Sequence, residues 1–143
     1  MERLGARVVK VDSAESGFEA QNAMDGDPST MWHTAWSPQP LGPPHEIQIE
    51  LRKPAVLQGI AILPRQDGNP NGQVKDYACY VSLDGKGWGE PVAKGSLAKD
   101  PTRQTIRFAR PVEARYVRLV ALASVSGGRW TSIAELELVP ESR

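Results

Sequence analysis

Short runs in which every second residue is apolar, cut apart by glycine and proline, leave this chain few folds to choose from. Residues 46–51 are the clearest case. Ile47, Ile49 and Leu51 fall on one side of an extended chain, Gln48 and Glu50 on the other, which is the period of a half-buried strand. Residues 116–122 alternate in the same way, and 134–139 put Leu136 and Leu138 inward with Glu135 and Glu137 outward. Arg7–Val11, 77–83 and 104–108 read as further strands, and 56–63 is apolar almost throughout, as a central strand would be. Arg52-Lys53-Pro54-Ala55 reads as a turn between two strands. Asp84-Gly85-Lys86-Gly87 reads as another, since glycine tolerates the positive φ that a tight hairpin needs, with Trp88 folded back into the core as its plug. The 13 glycines and 12 prolines are about a sixth of the chain against a usual ~12%, and they interrupt every candidate helix. The expected fold is all-β: a β-sandwich or jelly roll of about eight antiparallel strands, forming a single domain over residues 1–143.

Composition removes several classes of function. Lys plus Arg equals Asp plus Glu at 17 each, so no overall field favours nucleic acid or an anionic membrane. The one cysteine, Cys79, rules out an internal disulfide and reads as a small buried residue of its strand. No apolar run approaches the ~18 residues of a spanning helix, and Met1-Glu2-Arg3-Leu4-Gly5 lacks the apolar core of a signal peptide. The chain is then either cytoplasmic or a domain of a longer secreted protein.

The connection 12–45 is far longer than the usual ~4–6 residues, and long loops held by a scaffold tend to carry function. It contains the densest chemistry of the chain, from Asn22 to Trp36: acidic side chains, an Asp-Gly turn, and two tryptophans around His33. A second polar loop, 64–74, and a Gly-Gly loop, 124–131, are the other irregular segments.

Five stretches occur in order: Asn22-Ala23-x-Asp25-Gly26-Asp27-x-x-Thr30-x-Trp32-His33-Thr34-x-Trp36; Ile60-x-x-Leu63-Pro64-Arg65-Gln66; Tyr80-Val81-Ser82-x-Asp84-Gly85-x-x-Trp88; Ala114-Arg115-Tyr116-Val117-Arg118-Leu119; and Ala134-Glu135-Leu136. In order and spacing they resemble the coagulation factor V/VIII C-type (discoidin) domains. The similarity, over roughly residues 7–139, is greatest to the carbohydrate-binding modules of family 32. The resemblance implies a galactose-binding-like β-sandwich jelly roll with a structural calcium ion and a sugar site on loops at one end.

Calcium takes six to eight oxygens in flexible geometry. The resemblance implies ligands from the Ala23 carbonyl, the Asp25 and Asp27 carboxylates, Thr30, the Ala134 carbonyl and the Glu135 carboxylate. Taken alone, the same run is an Asp-Gly turn with solvated acids. It lacks the ligand spacing and closing glutamate of an EF-hand, and two histidines with one cysteine make a poor zinc set.

Sugars offer apolar C–H faces to aromatic rings and hydroxyls to charged or bidentate partners. The resemblance points to His33 and Arg65, whose fork can span adjacent hydroxyls. Trp36 and Trp130 are the candidate stacking platforms, Glu15 (or else Glu19) the acidic partner, and Asn71 a further amide. Trp32, one residue from His33, should face the core. Alone, His33 would be a surface histidine and Arg65 a solvated charge.

No Gly-x-Ser-x-Gly, phosphate loop or His-Glu-x-x-His occurs, the clustered acids look committed to a metal, and nothing activates Cys79. The expectation is a non-catalytic module recognising galactose-type or related sugars, accessory to a glycoside-active or cell-surface protein, monomeric or part of a larger extracellular chain. The alternative is an adhesion or membrane-surface domain using Trp36, Trp130, Arg65 and Arg129.

Overall fold

The computed structural model describes residues 4–141. Among the described residues eight strands carry the fold: β1 (Arg7–Val11), β2 (Trp32–His33), β3 (His45–Leu63), β4 (Asp76–Ser82), β5 (Ala93–Ser96), β6 (Gln104–Ala121), β7 (Ser132–Ile133) and β8 (Glu135–Pro140). A short 3-10 turn spans Ala20–Met24. Every paired strand is antiparallel, in the order β1-β3-β6-β4-β5 with β8 also on β3, and β2 pairs β7.

Two long strands take the place of the four short ones expected at 46–51, 56–63, 104–108 and 116–122. The expected turn at Arg52-Lys53-Pro54-Ala55 is extended chain within β3. Its ladder to β6 is broken there, between Glu50 opposite Tyr116 and Ala55 opposite Ala114. Pro54 cannot donate to a ladder, and Pro111 stands at the second break, in β6 between Arg107 opposite Gly59 and Val112 opposite Leu57. Prolines therefore mark a bulge in each strand, where the sequence pattern suggests an end. The first half of β3 pairs β1, and the second half pairs β8, so the bent strands serve both layers of the sandwich.

The core follows the alternation. Ile47, Ile49 and Leu51 of β3 are buried, with Leu57, Ile60, Ile106, Val117, Leu119, Ile133, Leu136, Leu138 and Trp32. Cys79 is buried among them, which pushes its thiol up to about 12. Gly59 permits one close approach: a Cβ there would stand 2.4 Å from the Ile106 carbonyl oxygen.

Trp88 is not the core plug expected. It is half-buried, with the Arg118 guanidinium 5.9 Å from its ring. The Asp84 turn is real: Asp84 accepts from the Lys86 and Gly87 amides at 2.8 and 2.9 Å, and these bonds hold its carboxyl down at about 2. The chain then wanders through 83–92 before β5, a strand that the sequence pattern did not mark.

Candidate functional site

The two-residue ladder of β2 and β7 sets the site. His33 is opposite Ser132, and Trp32 opposite Ile133. On its other side His33 donates its amide to the Phe18 carbonyl at 3.1 Å, and its carbonyl accepts from the Glu15 amide at 2.9 Å. Thr34 continues the clamp, donating to Thr131 O at 2.9 Å and accepting from the Thr131 amide through Oγ1 at 3.0 Å. Loop 12–44 is thereby stitched to the segment before β8. Trp32 turns into the core, its Nε1 donating to Ser13 O at 2.9 Å.

Five of the six expected binding residues, His33, Trp36, Arg65, Asn71 and Trp130, line one depression of about 450 Å³. Phe18, Pro40 and Asn69 line it too, and no period or motif in the sequence singled them out. Trp36 is the exposed ring at 40%. It stands edge-on to His33 at 4.8 Å and 87°, and tilted against Phe18 at 5.4 Å. Glu15 is the exception. It lies behind the depression, where Oε1 accepts from the Trp36 and Ser37 amides at 2.7 and 3.0 Å, so it positions the tryptophan. Glu19 accepts from the Gly17 amide.

His33 is buried, and its Nδ1 lies 2.7 Å from Thr34 O. A carbonyl can only accept, so Nδ1 carries the proton and Nε2 is the acceptor edge. Burial, assisted by Arg65, lowers its pKa against the opposing pull of the Thr34 carbonyl and Glu15, so the ring is neutral at neutral pH. Arg65 gives Nε and Nη2 to Asp67 at 2.9 and 2.6 Å and one Nη1 hydrogen to Asn71 O at 3.4 Å. Two of its five guanidinium hydrogens remain for a ligand. The Arg65 hydrogen bonds hold the Asp67 carboxyl below its usual range. Among the described residues the buried Nε1 of Trp130 has no hydrogen-bond partner, and a buried donor is costly to leave unmade. Gly128 lies against its ring: a Cβ there would be 2.9 Å from Cε3 and Cζ3.

His45, the second histidine, supports this rim from below. It is buried, with Nδ1 2.7 Å from Asp12 Oδ2 and Nε2 2.6 Å from Arg129 O. Both partners accept, so both nitrogens donate and the ring is an imidazolium. Burial pulls its pKa down, but the Asp12 and Arg129 bonds outweigh this and raise it. Its place was visible in the sequence, since His45 continues the inward phase of Ile47, Ile49 and Leu51.

The oxygen cluster of the first loop lies apart from the depression. Asp25 accepts from Thr30 Oγ1 at 2.5 Å and from the Asp27 amide at 2.9 Å. Burial opposes its ionisation, but those bonds and Glu135 hold its carboxyl below the usual range. Glu135 points inward against Asp25 rather than outward. Burial and the Asp25 carboxylate push it up to about 7, and its Oε1 is buried without a hydrogen-bond partner among the described residues. Asp27 is turned to Ser29, accepting from its amide and hydroxyl at 2.9 and 2.6 Å. The 3-10 turn that ends at Met24 packs on β8, which brings Ala23 towards the segment of Ala134. Among the described residues no three His, Cys, Asp or Glu side chains converge. Two carboxylates meet here, with one buried oxygen left unpaired, and that donor set fits a hard cation completed by carbonyls.

The chain matches the F5/8 type C domain family over residues 8–136. Among curated proteins it is 44% identical to the galactose oxidase of Gibberella zeae over 136 residues, 94% of this chain and 20% of that protein. It is 40% identical to the sialidase of Micromonospora viridifaciens, over 92% of this chain and 21% of that one. The chain thus spans about a fifth of the length of these relatives. Among solved structures it superposes on CBM32-3 from a family 31 glycoside hydrolase of Clostridium perfringens with a TM-score of 0.88, at 30% identity, covering 96% and 92% of the two chains. CpGH89CBM32-5 from Clostridium perfringens, in complex with GalNAc-β-1,3-galactose, gives 0.84 at 30% identity, covering 94% and 95%. The family 32 module of NanJ from the same organism, in complex with galactose, gives 0.82 at 30% identity, covering 94% and 93%. With its two bent strands and its loop ends stitched by β2 and β7, the chain belongs to the F5/8 type C domain family, and its structural neighbours are CBM32 modules.

Proposed function

We propose that the chain is a non-catalytic carbohydrate-binding module that holds a galactose-type sugar in the depression between Trp36 and Trp130. The observation that carries this reading is the convergence of His33, Trp36, Arg65, Asn71 and Trp130 on one cavity. The ring of Trp36 offers a face for sugar C–H groups. His33 Nε2 accepts a hydroxyl hydrogen, while the free Arg65 hydrogens donate to sugar oxygens. The role of these groups is recognition. The module would hold a larger extracellular glycoside-active protein on its substrate, where modest affinity suffices because tethering raises effective concentration.

Calcium belongs to the same reading as a structural ion. Asp25 and Glu135 would hold it, with Thr30, Asp27 and the Ala23 and Ala134 carbonyls as the remaining expected oxygens. Bound there it neutralises two facing carboxylates and fastens loop 12–44 to the start of β8. A glycan array, run with calcium and with EDTA, tests both halves. Binding to galactose- or GalNAc-ended glycans supports the reading, and an empty array under both conditions overturns it.

One observation favours a second reading. Leu41, 63% exposed, lines a neighbouring hollow with Pro40 and Arg129, and Pro40 also lines the depression. An apolar tip beside a cation suits a membrane surface. Sedimentation with phosphatidylserine vesicles separates the two readings.

A further inference from the structure

A larger hollow, about 530 Å³, adjoins the first and shares Arg65 and Asn69 with it as a common wall. None of the residues expected from the sequence lies in it except Arg65. Two glutamines shape it. Gln66 gives both Nε2 hydrogens to the Pro64 and Pro101 carbonyls at 2.7 and 2.8 Å. Gln73 gives both of its own to Ala98 and Asp100 carbonyls at 3.3 and 2.8 Å. Loop 98–101 is thereby fastened to loop 64–73, and each amide keeps its Oε1 as an acceptor. Asn69 is spent the other way: its Oδ1 accepts from the Asn71 amide at 2.9 Å, which leaves Nδ2 to donate. Lys99 lines the hollow and makes no ion pair among the described residues. Pro70 and Pro101 supply apolar rings beside these polar atoms.

Acceptors, donors and small apolar faces in a preformed open hollow are what a second sugar requires, and the cavity lies within the ~300–1,000 Å³ of ordinary ligand sites. Resting on the reading of the first depression as a sugar site, we propose that this hollow is a second subsite, which takes the next sugar of a neutral oligosaccharide. Arg65 and Asn69 stand between the two positions and can serve the hydroxyls of both residues. The ligand class is then an oligosaccharide ending in galactose or GalNAc, read over at least two sugars.

Titration calorimetry and amide NMR mapping of the full chain test this. The probes are galactose and a panel of galactose- and GalNAc-ended di- to tetrasaccharides, including GalNAc-β-1,3-galactose. At least one oligosaccharide is expected to bind about tenfold tighter than galactose. Its amide shifts should extend to Gln66, Lys99 and Asp100, which galactose alone leaves still. Lys99→Glu should cut that advantage severalfold without changing galactose affinity. An oligosaccharide panel that binds no tighter than galactose, or a gain that survives Lys99→Glu with no shifts at 98–101, overturns the second subsite and leaves the first intact. If galactose and every oligosaccharide fail to bind, the underlying sugar reading falls and the subsite with it.

Discussion

Arg65 donates two hydrogen bonds to Asp67, 2.9 Å from Nε and 2.6 Å from Nη2, and so presents its remaining edge in one fixed orientation. Asp67 is an acid two residues along the same loop, 46% exposed at its side chain. Arg65 is 12% exposed, but with its acidic partner open to solvent the pair is screened and contributes little to stability, so the clamp matters for binding. Asp67→Asn should leave Tm within a degree or two. It should weaken sugar binding roughly 2- to 12-fold, the cost of ordering one long side chain. Calorimetry checks both, and unchanged affinity would remove Arg65 orientation from the account.

Gly128→Ala places a methyl 2.9 Å from the Trp130 ring, and the backbone there does not require positive φ. Overpacking of this kind costs about 1–3 kcal/mol. The ring must move, so sugar affinity should fall more than Tm does. Fluorescence quenching of Trp130 by ligand would be reduced in the variant.

Calcium at about 100 times its Kd should stabilise the fold by about 2.7 kcal/mol, which for a domain near this size is roughly 5–10 °C in Tm. EDTA should reverse the shift. Glu135→Gln removes a buried carboxyl, so it should fold without metal and show no calcium response. A calcium-independent Tm in the unaltered chain, with no metal by elemental analysis, would end the calcium reading.

His45 sets a pH dependence of definite sign. Its folded pKa is raised, so its contribution is complete below the unfolded value of about 6.5 and is lost as pH rises through the folded value. His45→Gln cannot donate to both Asp12 and Arg129 O. It should melt roughly 5–10 °C lower at pH 6, given a few kcal/mol for breaking a buried pair. The gap should narrow as pH rises towards 9, and a constant gap would show that the charge is not what holds Arg129. His33 acts oppositely: its lowered pKa keeps sugar binding flat above about pH 6.5 and weakens it only in acid.

Strand phase was legible because burial on one face imposes it: the inward set of 46–51 is the buried set of β3. Strand ends were less legible, because Pro54 and Pro111 break a ladder without reversing the chain. The ladders of β2 and β7 were not, since two residues each are too short for a period to show. Of the site, His33, Trp36, Arg65, Asn71 and Trp130 were named through the family resemblance of the motifs around them, since each alone reads as an ordinary surface or core residue. Phe18 and Asn69 could not, because loop packing rather than pattern puts them there. Glu15 was expected to meet the sugar, but its carboxylate is turned to the Trp36 and Ser37 backbone amides, a choice that only the folded loop makes.

The most direct test follows the indole Nε1–H signals in a proton–nitrogen correlation spectrum as galactose is added. Each of the four tryptophans reports a different place: Trp32 the core, Trp88 the Arg118 face, Trp36 and Trp130 the depression. Movement of the Trp36 and Trp130 signals, with Trp32 and Trp88 still, and loss of both movements in His33→Ala and Arg65→Ala, is the predicted result. Movement of Trp88 alone, or of none up to tens of millimolar sugar, would contradict the account.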